Sequence, residues 1–115
     1  MNVEKFKYVI WANDMDRALT FYEHVFNGEI IKRSEVISEV MIAGVSIGIH
    51  SGGDGKVTWT GMSFQVSDVV QGAAEVKAAG GVLKKEPQEE DGESPHLAMC
   101  RDPEGNEFML TRKRM

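Results

Sequence analysis

At 115 residues, the chain can enclose one hydrophobic core but is too short for two independent domains. Its 42% apolar and 27% charged residues exclude an intrinsically disordered chain. A formal charge of −5, with basic residues dispersed, argues against a nucleic-acid binder, which needs clustered Lys and Arg to neutralise phosphates. The one basic run, Arg112-Lys113-Arg114, is short and reads as a solvated tail. The single cysteine, Cys100, allows no intrachain disulfide and no Cys-based metal site. Met1 to Lys5 has no apolar run of the kind that follows the charges of a signal peptide. No stretch approaches the ~20 apolar residues of a membrane span. A cytoplasmic protein with neither nucleic-acid nor membrane partners is expected.

Taken in order, residues 5–12 alternate, with Tyr8, Ile10 and Ala12 on one face and Lys7, Val9 and Trp11 on the other. Aromatic and β-branched residues in that pattern predict a strand. Asn13-Asp14 breaks the alternation and offers a helix N-cap, and Asp16 suits the positive end of a helix dipole. Apolar residues then recur at Ala18, Leu19, Tyr22, Val25 and Phe26, which is helical spacing. Asn27-Gly28 ends that helix, Gly being the residue expected to take the left-handed cap. Residues 29–33, 36–43 and 45–50 are strand candidates, with Gly44 between the last two. Residues 51–56 form a Gly-rich loop.

The order then begins again. Residues 59–66 alternate, with Met62, Phe64 and Val66 opposite Gly61, Ser63 and Gln65. Ser67-Asp68 starts an Ala-rich helix that Gly80-Gly81 stops. Residues 82–85 read as a strand and residues 87–95 as an acidic loop. The chain closes on a hairpin whose turn, Asp102-Pro103-Glu104-Gly105, has Pro second and Gly fourth, the order of a type I turn. Asp14 and Asp68 lie 54 residues apart. The same offset pairs Tyr8 with Met62, Ile10 with Phe64 and Ala12 with Val66, so the apolar faces superimpose. This is an internal repeat, with units of roughly 50 residues. Each helix is expected to pack on the Tyr8/Ile10 or Met62/Phe64 face, leaving the opposite face of each sheet to line something.

Three pieces in this order and spacing carry a resemblance: residues 14–22 with Phe26-Asn27-Gly28, residues 64–68, and Asp102-Pro103-Glu104-Gly105-Asn106. Together they resemble the vicinal oxygen chelate superfamily, which includes glyoxalase I, bleomycin-resistance proteins and extradiol dioxygenases. The resemblance implies an α+β fold: two β-α-β-β-β modules forming a U-shaped incomplete barrel around a cavity, with module 1 at about 1–50, a linker at 51–57 and module 2 at about 58–115. It also implies a homodimer, with the cavity at or near the dimer interface. Enzymes of the superfamily bind a divalent metal through His, Glu or Gln. Carried over residue by residue, those positions fall on Lys7, Gly48, Gly61 and Met109. None is a ligand for a hard or borderline divalent ion, so no metal and no cofactor is expected and catalytic residues are not assigned.

Nine residues are expected to line the cavity: Lys7, Val9, Trp11, His50, Trp59, Ser63, Gln65, Glu107 and Met109. Lys7 inside a cavity needs an anionic ligand or an ion-pair partner, for which Glu107 is the expected candidate. Trp11 and Trp59 suit an apolar wall for a planar ligand or packing at a dimer interface. His50 at a strand end is either a partly exposed structural residue or a ligand contact. His24 reads as a solvated helix residue, and His96 is undecided. Cys100 reads as a small buried hydrophobe. The acidic run Glu89–Glu93 is a solvated loop or a flap. The leading expectation is a metal-independent protein that binds a small organic molecule, enzymatic activity staying open. The alternative is a divalent-metal-dependent lyase, isomerase or dioxygenase on a degenerate site at His50 and Glu107. A third reading is a structural dimer whose cavity its own side chains close.

Overall fold

Alternation in Tyr8–Ala12 (β1) buries Ile10 and Ala12, while Val9 and Trp11 stay open. In the computed structural model, which describes residues 1–114, β1 belongs to the first of two units, Met1–Gly55; the second begins at Lys56. The first unit continues with a helix, Met15–Phe26 (α1), and three strands, Glu29–Lys32 (β2), Ile37–Ile42 (β3) and Val45–Ser51 (β4). They form one sheet in the order β1-β4-β3-β2. β1 runs parallel to β4, and the other pairings are antiparallel. Ala43 and Gly44 both take positive φ between β3 and β4, the arrangement of a two-residue hairpin turn that matches strand twist.

The second unit repeats the plan: Thr58–Gln65 (β5), Val69–Ala78 (α2), Val82–Lys85 (β6), Leu97–Arg101 (β7) and Asn106–Thr111 (β8). Its sheet order is β5-β8-β7-β6, with β5 parallel to β8. The two helices start in register with the repeat. Asp14 accepts a hydrogen bond from the Arg17 amide at 3.1 Å, and Asp68 accepts one from the Gln71 amide at 3.0 Å. Each carboxylate thus satisfies one of the amides that a helix start leaves without a partner.

Helix packing departs from expectation. α1 lies chiefly against β3 and β4, and α2 against β6, β7 and β8, rather than on β1 and β5. The parallel pairing places β1 and β5 at sheet edges, so the chain crosses back over the middle strands. Tyr8 accordingly stays open, and Phe64 is only half-buried, meeting Phe108 edge-to-face. The first core joins Leu19, Phe21 and Tyr22 of α1 to Val40, Ile47 and Ile49. The second joins Val69, Ala73 and Val76 of α2 to Ala98, Cys100, Phe108 and Leu110. Each large apolar side chain fully buried this way stabilises by roughly 1.5–3 kcal/mol.

The first helix ends on Asn27, not Gly28, in the left-handed conformation, with φ 53°. Gly28 serves close approach instead: a Cβ there would sit 2.5 Å from Val40 Cγ1 and 2.9 Å from the Tyr22 carbonyl oxygen. In the second unit Gly80 takes positive φ, and Gly81 makes the matching approach to Val76 and the Arg101 carbonyl.

The closing turn is held by its first residue. Asp102 is 2% exposed. Its Oδ1 accepts from the amides of Glu104 at 2.8 Å and Asn106 at 2.9 Å, and its Oδ2 accepts from Asn106 Nδ2 at 3.0 Å. The acidic loop is tied to the end of β8: Arg112 donates to the Ser94 and Pro95 carbonyls and faces Glu93 at 3.8 Å.

Candidate ligand-binding faces

On the helix-free face of the first sheet, Lys7, Val9 and Trp11 stand beside Gly48 and His50 of β4. Val9 pairs with Gly48, and Trp11 with His50. The Trp11 and His50 rings meet at 4.4 Å between centroids. His50 Nδ1 lies 2.6 Å from the Ser51 carbonyl oxygen. A carbonyl only accepts, so Nδ1 carries the proton there and Nε2 keeps its lone pair in the neutral ring.

Sequence reasoning missed the charged centre of this face. Glu39, 7% exposed, stands across β4 from Val9, with Gly48 between them. Its Oε1 accepts from Lys5 Nζ at 2.6 Å and Ser46 Oγ at 2.6 Å, with Lys7 Nζ at 4.0 Å. Those hydrogen bonds, led by Lys5, hold its carboxyl below the ordinary value. The signal was present: Glu39 is the one charge inside the mostly apolar stretch 36–43, and a charge at such a place needs a partner.

Glu39 also corrects the expected pairing of Lys7 with Glu107. Lys7 has its carboxylate on its own sheet, while Glu107 has two cations on its own: Lys84 Nζ at 3.5 Å and Arg101 Nη2 at 3.6 Å. Within each sheet the strand pairing holds these opposite charges within side-chain reach.

On the helix-free face of the second sheet, Trp59 pairs with Glu107, Ser63 with Met109 and Gln65 with Thr111. Ser63 Oγ lies 3.3 Å from Thr111 Oγ1. Trp59, Ser63 and Gln65 are exposed, Met109 is half-buried and Glu107 is buried. Two depressions in this unit lie elsewhere. One, of about 70 Å³ near Lys85, His96 and Met99, is too small for an organic ligand, a single water taking about 30 Å³ of liquid volume. The other is an open groove of about 730 Å³ between the start of α2 and the acidic loop.

Comparison with known proteins decides the family. The model of the glyoxalase/bleomycin resistance protein/dioxygenase superfamily matches residues 6–110. The chain belongs to this superfamily. A "probable lactoylglutathione lyase" of Vibrio cholerae is 25% identical over 110 residues, covering 82% of this chain and 79% of the relative. The fosfomycin resistance protein FosX of Listeria monocytogenes has the same fold, with a TM-score of 0.81 and 23% identity, covering 100% of this chain and 94% of that one. That protein has also been crystallised with manganese(II) and sulfate. A superfamily enzyme from Burkholderia phytofirmans matches with a TM-score of 0.75 and 22% identity, covering 92% of this chain and 95% of that one.

The side chains at the four positions that the resemblance assigns to a metal do not suit one. Lys7 is a cation facing Glu39. Gly48 has no donor, and a Cβ there would meet Val9 Cγ2 at 3.3 Å, closer than ordinary contact, with Ile37 Cδ1 and Lys7 Cδ at 3.6 Å. Gly61 has φ +78° and lies where the β5–β8 register shifts; a His or Glu there would be strained. Met109 offers only a soft thioether. Among the described residues, no three His, Cys, Asp or Glu side chains gather as a metal site. No helix among them is long and apolar enough to cross a membrane.

Proposed function

We propose that this chain is a small-molecule-binding member of the superfamily that works without a metal. The observation that carries this reading is the state of Gly48 and Gly61: neither has a donor, a side chain at the first would start in tight contact with Val9, and the positive φ of the second disfavours one. The candidate binding residues are Lys7, Val9, Trp11 and His50 on the open face of the first sheet and, on that of the second, Trp59, Ser63, Gln65, Glu107 and Met109. Half-exposed tryptophans beside a few placed polar groups suit a planar organic ligand. The reading includes a homodimer in the cytoplasm, without bleomycin as a required ligand, and sedimentation tests the dimer.

The rival is a metal-dependent lyase, isomerase or dioxygenase, favoured by the names of the relatives and by the lone pair left on His50 Nε2. Against it, Glu107 already faces Lys84 and Arg101. Metal analysis of protein purified without chelating resin separates the two. Stoichiometric Mn, Fe, Ni or Zn would overturn the proposal. Saturable quenching of Trp11 and Trp59 fluorescence by members of a panel of aromatic metabolites is the positive result.

A further inference from the structure

One row of the second sheet holds unspent charge. Trp59, Glu107, Arg101 and Val82 are successive cross-strand partners on β5, β8, β7 and β6. Glu107 is 5% exposed, and its Oε2 has Lys84 Nζ at 3.5 Å and Arg101 Nη2 at 3.6 Å. Both distances exceed hydrogen-bond length. Among the described residues, neither this buried Oε2 nor the buried Arg101 Nε has a hydrogen-bond partner. Two cations therefore share one carboxylate, leaving one positive charge and most of the guanidinium and ammonium donors uncommitted. Both cations reach the surface, with side chains 31% exposed for Arg101 and 56% for Lys84.

The same row offers a platform at its other end. Trp59 is 49% exposed. Two residues on, nothing lies within 4 Å of where a Cβ of Gly61 would be, so the sheet beside the indole is open. Trp59 and Arg101 are separated by two strand spacings, about 10 Å between Cα atoms.

We propose that Arg101 and Lys84 form a carboxylate-binding subsite, positioned by Glu107, for a small aromatic acid whose ring lies on Trp59. This rests on the small-molecule-binding reading and specifies its ligand class. Glu107 acts through the two cations as a positioning residue. Its buried charge keeps them on this face, and their free donors complete the hydrogen bonding when a second carboxylate arrives. Arg suits the role because its planar fork matches a carboxylate with two parallel hydrogen bonds.

Calorimetric titration of the full chain tests this with two matched pairs: indole-3-acetate against indole-3-acetamide, and benzoate against benzamide. Each acid should bind at least about tenfold more tightly than its amide, the size of one charge-assisted hydrogen bond. Lys84→Gln and Arg101→Gln should each weaken the acid about tenfold and leave the amide unchanged. Lys84 is more than half exposed, so its variant keeps the test sound if Arg101→Gln fails to fold. Equal affinity for acid and amide overturns the subsite, as does discrimination that survives both substitutions. If the acids fail to bind while uncharged aromatics from the metabolite panel saturate, the subsite falls and the binding reading stands. If nothing in either set binds, both fall.

Discussion

Replacing Asp102 by Ala removes the acceptor of three buried donors. The carboxylate takes the Glu104 amide at 2.8 Å, the Asn106 amide at 2.9 Å and Asn106 Nδ2 at 3.0 Å. Glu104 and Asn106 are 3% and 5% exposed, so water does not readily replace the lost oxygen atoms. A buried donor left without a partner costs about 1–3 kcal/mol. Allowing for relaxation of a surface turn, the three together should cost about 3–5 kcal/mol, a large share of the ~5–15 kcal/mol typical of a whole domain. With a urea m-value of about 1–2 kcal/mol/M, the unfolding midpoint should fall by roughly 2 M or more. Asp102→Asn keeps one carbonyl oxygen for the two amides but sets its NH₂ against Asn106 Nδ2, so it should lose about half as much. Equilibrium urea unfolding followed by circular dichroism gives both numbers. A loss below about 1 kcal/mol for Asp102→Ala, with m unchanged, would refute the view that this carboxylate holds the turn.

Gly28→Ala and Gly81→Ala should each destabilise by about 1–3 kcal/mol through overpacking, because the added Cβ meets Val40 Cγ1 at 2.5 Å in one case and Val76 Cγ1 at 2.6 Å in the other. Thermal melts that match wild type would contradict those close approaches. Glu39 titrates below its ordinary value of 4.5 in the folded chain, so its contribution is present above about that pH and fades as the pH falls through the folded pKa. The stability difference between wild type and Glu39→Gln should therefore shrink between pH 6 and pH 3; a constant difference would remove Glu39 from the account. Burial pushes the Cys100 thiol up to about 11. A disulfide reagent at pH 8 should thus react slowly with the native protein and fast in urea, and prompt stoichiometric labelling of native protein would contradict the burial.

The fold was legible because it is written twice. Asp14 and Asp68 cap two helices at one offset, and period-2 alternation precedes each, so the strands and helices fell where the pattern put them. Sheet order was the hidden part. Alternation in Tyr8–Ala12 shows that one face is buried but not which element covers it, and the parallel pairing with β4 sent the helix to the middle strands. Side-chain partners were legible only within a strand. Lys7 and Glu107 are the opposite charges on the predicted cavity faces, so the sequence pairs them. Glu39 was passed over because it sits on a third strand, whose register against β4 no local pattern reveals. Lys84 and Arg101 were missed for the same reason: their place beside Glu107 exists only once β6, β7 and β8 are paired.

The two sheets arrive at one electrostatic device by different residues. Each helix-free face carries a buried carboxylate with two cations close by, Glu39 with Lys5 and Lys7, and Glu107 with Lys84 and Arg101. Glu39 is the saturated version, since Lys5 and Ser46 both donate to it at 2.6 Å. Glu107 is the unsaturated one, with both cations beyond hydrogen-bond length. Lys5 and Ser46 thus fasten Glu39 to its neighbours, while Lys7 at 4.0 Å stays beyond hydrogen-bond length. An unsaturated cluster gains hydrogen bonds when an anion arrives, because its donors are already desolvated in part and aimed at one face. The proposed carboxylate subsite on the second sheet rests on that difference.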